Sequence, residues 1–329
     1  MPNGSNRTRK QHYVPQVYLR GFAPQYLNKC SVNSKNSKPK YGVFYYDLQE
    51  RIQSKIAVPT NSVCFENDLY EVTGKSGEIV YDNRLENCFS ILERRYAELR
   101  TNIEKKAFVK DNYKTKCFLT RDEKMHFIGY ITVQLLRTPH FLNRALDVAK
   151  KINCDGKTDR QLMNLVRLTC LLFLCSNQEN VEQDKSSGVI RDSQTRVLNA
   201  IMGPMFGMSF MIGVDNEAML ITTDNPVYMV HSNRDYIIDD EYIENDEIIF
   251  PITASLCLIM FGGENKDKYP KNCLFEITDE WRKHIFAAMC CTTDKKIFSN
   301  HKFDKDELKI IDEVLKDEAK GDTECHILT

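Results

Sequence analysis

The fold class follows first from an apolar stretch in the C-terminal third of the chain, residues 248–261, which reads IIFPITASLCLIMF. Its β-branched and aromatic residues are typical of strands and predict two of them, Ile248–Thr253 and Ser255–Phe261. A strand-like spacing of apolar residues also predicts three earlier strands: Ser209–Ile212, Ala218–Thr222 and Val227–Val230. We therefore expect residues 209–318 to hold a mostly antiparallel sheet with flanking helices. These helices are expected at Asp279–Cys291 and Asp304–Glu318.

A helical period precedes the predicted sheet. Residues 81–105 carry an apolar stripe typical of an amphipathic helix, made of Leu85, Cys88, Phe89, Leu92 and Tyr96. Residues 120–123, Thr-Arg-Asp-Glu, form a capping-box pattern that opens a helix running towards Arg137. Asp159 is expected to cap the next helix, and a later one, through Ile190 and Ile201, is expected to end near Gly203-Pro204. Residues 81–206 are thus predicted to form a helical block.

The N-terminal part predicts a β-hairpin. Its arms, YGVFYYDL (41–48) and RIQSKIAV (51–58), are joined by a polar turn, and a third short strand is expected at Asp68–Val72. Because helices and strands segregate rather than alternate, the predicted fold class is α+β: an N-terminal β-hairpin element, a central helical block and a C-terminal sheet with flanking helices. One compact domain is expected over residues 1–329, with residues 1–8 disordered and residues 9–75 holding the N-terminal motif and β element.

Composition and charge exclude several classes of protein. The 329 residues are 42% hydrophobic and 28% charged with a formal net charge of −1, which argues against a disordered chain and against a nonspecific nucleic-acid coat. No apolar run reaches the roughly 20 residues that a bilayer requires, and no signal peptide opens the sequence, so a cytoplasmic protein is expected. The 12 cysteines include no CxxC pair, so we expect reduced thiols rather than structural zinc.

The most specific motif of the chain is KQHYVPQVYLRGF, residues 10–22, which we call the HYVP segment. It resembles the opening signature of a family of domains of unknown function, number 4238 in that series, which is recognised by an N-terminal HYVP motif. Two further segments are similar to that family: NSVCFENDLY at residues 61–70, and TTDNPV at residues 222–227 with Thr in place of the family's Ser. The resemblance extends over most of the chain and implies no activity, because the family has no agreed one.

Three residues are candidates for catalysis, and each has a structural alternative. His12 is suited to ligate a metal or move a proton, or to hydrogen-bond a core carbonyl. Asp224 follows a predicted strand and precedes a proline, so it either presents a carboxylate at a site or caps its own turn. Arg137 is suited to grip a phosphate, or to cap helix carbonyls or pair with a buried acid. Glu86 and Glu93, on one face of a helix, are expected to be exposed.

Two functions stay open from the sequence. The first is a metal-dependent phosphodiesterase or nuclease with Mg²⁺ or Mn²⁺, acting on nucleic acid or a nucleotide through the basic N-terminal segment. His12 would be its general base or a metal ligand, Asp224 would bind the metal, and Arg137 would stabilise phosphate charge together with Lys10. Its substrate-binding candidates are Lys10, Gln11, Arg20 and Asn225, and its candidate metal ligands are His12, Glu66, Asp68 and Asp224. The second function is a noncatalytic binding module in which the HYVP segment is a structural clasp between the N-terminus and the C-terminal sheet.

Overall fold

The structure, a computed structural model, describes residues 8–23, 25–26, 40–74, 76, 78–79, 84–109, 117–152, 156–171, 201–231 and 245–319. The N-terminal elements are β1 (Lys10–His12), α1 (Gln16–Leu19), β2 (Gln25–Tyr26), β3 (Lys40–Asp47), β4 (Ile52–Gln53), β5 (Val58–Pro59) and β6 (Phe65–Asn67). The helical block contains α2 (Arg84–Ala107), α3 (Arg121–Leu136), α4 (Pro139–Ile152), α5 (Asp159–Leu171) and α6 (201–207). The C-terminal elements are β7 (Ser209–Val214), β8 (Thr222–Thr223), β9 (Tyr228–His231), β10 (Asn245–Thr253), β11 (Leu256–Phe261), β12 (Cys273–Glu276), α7 (Asp279–Thr292), β13 (Lys296–Ser299) and α8 (Lys305–Ala319). The fold class is α+β, as predicted.

The C-terminal sheet has five strands in the order β12-β7-β11-β10-β9. Neighbouring strands are antiparallel, except that β12 runs parallel to β7, so the mostly antiparallel sheet is confirmed. Successive residues of β11 pack into different apolar clusters: Leu258 and Met260 enter one, and Cys257 and Ile259 enter the other. Both faces of the sheet are covered, so its strands are apolar at successive positions. This explains why residues 248–261 form an almost continuous apolar stretch.

A second sheet joins the two ends of the chain. Its strand β3 pairs with β4 and β5 in the predicted hairpin, and it pairs on its other side with β13, which in turn pairs with β8. The strand predicted over Ala218–Thr222 is shorter, since β8 covers only Thr222–Thr223 and Ala218 has a positive φ of 56°. The third strand predicted at Asp68–Val72 is wrong. The strand at this place is β6, which pairs with β1, and the next residue, Asp68, leaves it with a positive φ of 56°.

The helical block follows the predicted periodicity. Four residues of the predicted stripe on α2 are buried, namely Leu85, Cys88, Phe89 and Tyr96. The capping box of α3 is present, because the Glu123 N–H donates to Thr120 Oγ1 at 3.2 Å and the Thr120 N–H donates to Glu123 Oε2 at 2.8 Å. Within the described ranges, no helix is long and apolar enough to cross a membrane.

Two helix ends differ from the prediction. The cap of α5 is Thr158 rather than Asp159: Thr158 Oγ1 accepts the Gln161 N–H at 3.4 Å, and the Thr158 N–H donates to Gln161 Oε1 at 2.8 Å. A reciprocal pair of this kind satisfies two backbone donors at the start of the helix. The helix α6 continues through residue 207, past the expected end at Gly203-Pro204. Its predicted earlier part, from Ile190, lies outside the described residues.

The second half of the HYVP segment packs against the C-terminal sheet. The Tyr18 hydroxyl donates to the Pro251 carbonyl at 2.8 Å and lies 2.8 Å from Thr222 Oγ1. The Ala254 N–H donates to the Gly21 carbonyl at 3.0 Å. A Cβ atom at Gly21 would lie 2.9 Å from the Ile252 carbonyl oxygen, so only glycine fits this approach without a shift. These contacts fix the segment to β8, β10 and the turn after β10.

Candidate functional site

The first half of the HYVP segment is held by the end of α3. The His12 carbonyl accepts a hydrogen bond from an Arg137 terminal nitrogen, and the Tyr13 carbonyl accepts one from Gln134 Nε2 at 2.8 Å. On the other side, the Tyr13 N–H donates to the Cys64 carbonyl at 2.9 Å. The main chain at His12 and Tyr13 is therefore bonded to two other parts of the molecule.

Arg137 is an interior residue of the structure. Its side chain is 2% exposed, and a terminal nitrogen lies 3.0 Å from Glu93 Oε1. Its Nε donates to the Tyr70 hydroxyl at 3.4 Å, and its guanidinium lies 4.2 Å from the centre of the Phe89 ring. The guanidinium is thus surrounded by protein groups and does not face a phosphate from solvent.

The amide of Gln11 extends the same polar network. Gln11 is 0% exposed, its Nε2 donates to Glu71 Oε1 at 2.6 Å, and its Oε1 accepts the Tyr70 N–H at 2.7 Å. Arg167 of α5 donates to the Glu71 carbonyl at 2.8 Å. Gln11, predicted to bind substrate, therefore holds β1 to the loop after β6 and has no exposed atom for a ligand.

Glu86 and Glu93 are partly buried beside this network, so the exposed helix face expected for them is wrong. Burial raises the pKa of Glu86 to about 7, while the nearby Arg137 opposes the rise and the charges of Glu93 and Glu71 add to it. Three carboxyl groups, those of Glu71, Glu86 and Glu93, thus lie in one partly buried network with Arg137 and Arg167. A proton on one of them balances the charges.

The ring of His12 is partly buried against Phe65, with 5.7 Å between ring centres. Its Nε2 is buried and has no hydrogen-bond partner within the described part of the chain. Burial lowers its pKa, a hydrogen bond to the Asn61 backbone opposes the change, and the charges of Arg137 and Lys10 lower the pKa further. The imidazole is therefore neutral at pH 7.

Asp224 lies at the turn after β8 and is 3% exposed. Its carboxylate accepts three backbone N–H groups, from Asp294 at 3.0 Å, Lys295 at 2.8 Å and Lys296 at 3.2 Å. The alternative in which Asp224 caps its own turn is wrong, because Thr223 Oγ1 accepts the Asn225 N–H at 3.1 Å instead. Burial raises the pKa of Asp224 to about 6, the backbone hydrogen bonds oppose this, and Asp294 adds to it. The carboxylate thus fixes the start of β13.

A cleft of about 270 Å³ opens beside Asp224, where the HYVP segment meets the second sheet. Its lining combines aromatic, acidic and basic side chains, and its members are Tyr13, Ser62, Val63, Cys64, Phe65, Asp224, Lys295, Lys296 and Phe298. The Tyr13 hydroxyl hydrogen-bonds the Cys64 side chain, and burial above all raises the pKa of that thiol. The thiol therefore stays protonated and is a weak nucleophile.

The other predicted site residues lie outside the cleft lining. Lys10 lies 4.5 Å from the centre of the Phe65 ring, and Arg20 lies 5.2 Å from the centre of the Tyr41 ring. Both side chains are exposed. The three remaining predicted residues are only partly buried, and these are Glu66, Asp68 and Asn225. Of the predicted catalytic residues, Arg137 hydrogen-bonds the backbone carbonyl of His12 and not its ring. Asp224 is the one of the three that lines the cleft.

No metal centre is formed where the structure describes the chain, since no three His, Cys, Asp or Glu side chains come together there in a way that could hold an ion. The predicted ligands Glu66 and Asp68 lie at β6 and the turn after it. Glu66 lies opposite Gln11 in the β1–β6 pair, and Asp68 lies 3.6 Å from Arg9.

Sequence reasoning did not assign the cleft residues Cys64, Lys296 and Phe298 to a common site. Cys64 falls in the family-like segment at residues 61–70, and its positive φ of 53° marks a constrained position. Lys296 and Phe298 reach the cleft only because β13 pairs with β3 and β8. No local pattern in the sequence signals such a long-range pairing.

The comparisons with known proteins agree with the predicted family. The model of one family, described as "Protein of unknown function (DUF4238)", matches residues 10–303 of the chain. No curated protein and no solved structure matches it. The match includes the HYVP segment, the polar network and all residues of the cleft.

Proposed function

The chain belongs to the DUF4238 family of proteins of unknown function, and from that premise we propose that it is a noncatalytic binding module whose HYVP segment is a structural clasp. One observation carries the proposal: four polar groups of the segment are bonded to other parts of the same chain. These groups are the Gln11 amide, the His12 and Tyr13 carbonyls and the Tyr18 hydroxyl. A segment bonded in this way is suited to hold elements together rather than to meet a substrate.

The clasp would join two regions that are far apart in the chain. Its first half is bonded to α3 through Gln134 and Arg137, and its second half to the C-terminal sheet through Tyr18 and Gly21. Hydrogen bonds that involve a charged group contribute about 1.5–3 kcal/mol each, and buried groups cost more when left unpaired. The segment is therefore expected to contribute strongly to stability.

The same bonds give less support to the nuclease hypothesis. A residue that stabilises phosphate charge must reach the substrate, whereas the Arg137 guanidinium contacts Glu93, Tyr70 and the His12 carbonyl. The Asp224 carboxylate likewise accepts three backbone N–H groups. The Arg137 guanidinium therefore has its partners inside the protein, and Asp224 has a structural role at the start of β13 that needs no metal.

The clasp is tested by Gln134→Leu, which leaves the Tyr13 carbonyl without its donor at 2.8 Å. An unpaired buried carbonyl costs about 1–3 kcal/mol, so the melting temperature is expected to fall by several degrees. His126→Gln is the matched control, because His126 is an exposed residue of the same helix. Equal melting temperatures for the two variants would contradict a clasp.

The noncatalytic part is tested with single-stranded DNA and RNA oligonucleotides in the presence of Mg²⁺ or Mn²⁺. We expect the same background of cleavage from the wild-type chain and from Asp224→Asn. Cleavage by the wild-type chain that disappears in a folded Asp224→Asn variant would instead establish the nuclease.

A further inference from the structure

The cleft beside Asp224 has an uneven balance of charge. Lys296 Nζ lies 2.9 Å from Asp47 and 4.4 Å from the centre of the Tyr45 ring, so an acid and an aromatic ring already face its charge. Lys295 is exposed at the rim. Asp224, in contrast, is buried among backbone N–H groups. The most buried charged residue of the cleft lining is thus an acid.

The electrostatic field at the Tyr13 hydroxyl, which also lies at the cleft, is negative as well. Burial raises the pKa of Tyr13 most, and the negative charges of Asp224, Glu66 and Asp294 raise it further, together with Cys64. A cation that entered here would be attracted by these groups, and an anion would be repelled. The field at the Tyr13 hydroxyl therefore favours a positively charged ligand, while Lys296 acts with the opposite sign on the Cys64 thiol.

The Asp224 carboxylate keeps capacity for one more hydrogen bond. An ionised carboxylate has about four acceptor sites, and the described residues fill three of them with the N–H groups of residues 294–296. A ligand N–H group can occupy the remaining site. Carboxylate–ammonium hydrogen bonds are among the stronger ones in proteins because both partners are charged.

The walls of the cleft suit the rest of such a ligand. Tyr13, Phe65 and Phe298 are aromatic, and Val63 adds apolar surface. Aromatic faces attract ammonium groups, as the position of Lys10 at 4.5 Å from the Phe65 ring centre already illustrates. A volume of about 270 Å³ accommodates a small molecule and not a folded partner.

We propose that this cleft binds a small organic ammonium ion, a primary amine that carries an aromatic or other apolar group. Its ammonium donates to Asp224, and its apolar part lies against Tyr13, Phe65 and Phe298. This inference rests on the proposed binding function and names the ligand class of the module. An anion such as phosphate is the opposing ligand class, because Lys295 and Lys296 also line the cleft.

Binding to Asp224 is expected to depend on pH. With an unliganded pKa of about 6, the carboxylate is about one-tenth ionised at pH 5 and almost fully ionised at pH 7.5, so affinity should rise about tenfold over this interval. The charged and titratable groups that line the cleft, or lie against its lining residues, are Lys10, Tyr13, Asp47, Cys64, Glu66, Asp294, Lys295 and Lys296. Comparison of the pH dependence of the wild-type chain with that of Asp224→Asn separates the Asp224 carboxylate from these groups.

The experiment is an NMR titration of the full chain with benzylammonium chloride, with benzyl alcohol as the uncharged ligand of similar shape and sodium phosphate as the anion. We expect saturable shifts with benzylammonium that strengthen about tenfold from pH 5 to pH 7.5. Benzyl alcohol is expected to bind more weakly and without this pH dependence. Saturable binding of phosphate in place of the amine, or no saturable binding of benzylammonium, would overturn the proposal.

Two variants locate the site. Asp224→Asn is expected to weaken benzylammonium binding at least tenfold, with Asp122→Asn, an exposed acid of α3, as its control. Because Asp224 also holds the start of β13, a second variant is Ser62→Phe, which fills the mouth of the cleft from an exposed position. It is expected to abolish binding with little change in melting temperature, because the hydrogen bond that it removes, from Ser62 Oγ to the Pro59 carbonyl, is exposed. Undiminished benzylammonium binding by Ser62→Phe would show that the ligand does not bind in this cleft. The clasp is tested separately, by the melting temperature of Gln134→Leu.

Discussion

Glu86→Gln is expected to change the way in which stability depends on pH. The Glu86 carboxyl lies near Arg137, Glu93, Glu71 and Tyr70. Its Oε2 is buried, and the described residues offer it no hydrogen-bond partner. Burial raises its pKa from 4.5 to about 7, although Arg137 opposes the rise. The carboxyl is therefore a buried acid that is more stable with its proton.

Proton linkage gives the direction in which Glu86 changes the free energy of unfolding with pH. A folded pKa above the unfolded one means that the folded chain holds this proton more tightly, so the contribution is complete below pH 4.5 and is lost as the pH rises through about 7. A shift from 4.5 to about 7 corresponds to roughly 3 kcal/mol at about 1.4 kcal/mol per pH unit, and partial exposure of the group lowers this to about 2 kcal/mol. A glutamine side chain does not titrate, so the Glu86→Gln variant should be spared this loss.

The assay is urea unfolding at pH 5 and pH 8. The wild-type chain is expected to lose about 2 kcal/mol more than Glu86→Gln between the two pH values. Glu98→Gln, an exposed glutamate of the same helix, is the control and should behave as the wild type. Asp224 titrates in all three chains, so its contribution cancels in the difference. An identical pH dependence for Glu86→Gln and the wild type would refute the reasoning.

Three further substitutions test the contacts that organise the fold. Gly21→Ala places a Cβ 2.9 Å from the Ile252 carbonyl oxygen and should destabilise the chain by about 1–3 kcal/mol in urea; no change would mean that this approach relaxes freely. Arg137→Met leaves Glu93 and the His12 carbonyl without their donor and should lower the free energy of unfolding by about 3–5 kcal/mol. An unchanged thermal melting temperature would contradict a stabilising role for the Arg137–Glu93 pair. Thr120→Ala removes the capping box of α3 and should cost about 1 kcal/mol in the same assay, and a smaller loss than for an exposed control threonine, Thr101→Ala, would contradict the capping role.

The elements that sequence reasoning predicted well are those whose cause is local. The stripe on α2 and the capping box of α3 depend on residues three or four positions apart, so the pattern and the structure coincide. The strands β10 and β11 are recognisable because both of their faces are buried, which turns each into an apolar run. The misplaced third strand shows the limit of this reasoning. At Asp68 a positive φ of 56° interrupts a segment whose residue types suit a strand.

The site was harder to predict because its contacts join distant segments. Asp224 was singled out from its position after a strand, yet its hydrogen-bond partners are residues 294–296, which no local pattern connects with it. The sequence predicts that Arg137 grips a phosphate, caps helix carbonyls or pairs with a buried acid, and the structure gives its partners as Glu93 and the His12 carbonyl. Residue type therefore indicated which side chains need a partner. Only the fold determines which partner they receive.

The HYVP segment and the cleft meet at Tyr13, so a change in the bonds of the segment is expected to change ligand binding in the cleft. Tyr13 lines the cleft, while its N–H is bonded to the Cys64 carbonyl at 2.9 Å and its carbonyl to Gln134 at 2.8 Å. Because Gln134 holds the backbone of this wall from outside the cleft, Gln134→Leu should weaken benzylammonium binding as well as stability. The loss should be smaller than for Asp224→Asn, since the contact with the carboxylate remains. Wild-type affinity in a destabilised Gln134→Leu chain would show that the clasp stabilises the fold without positioning the ligand site.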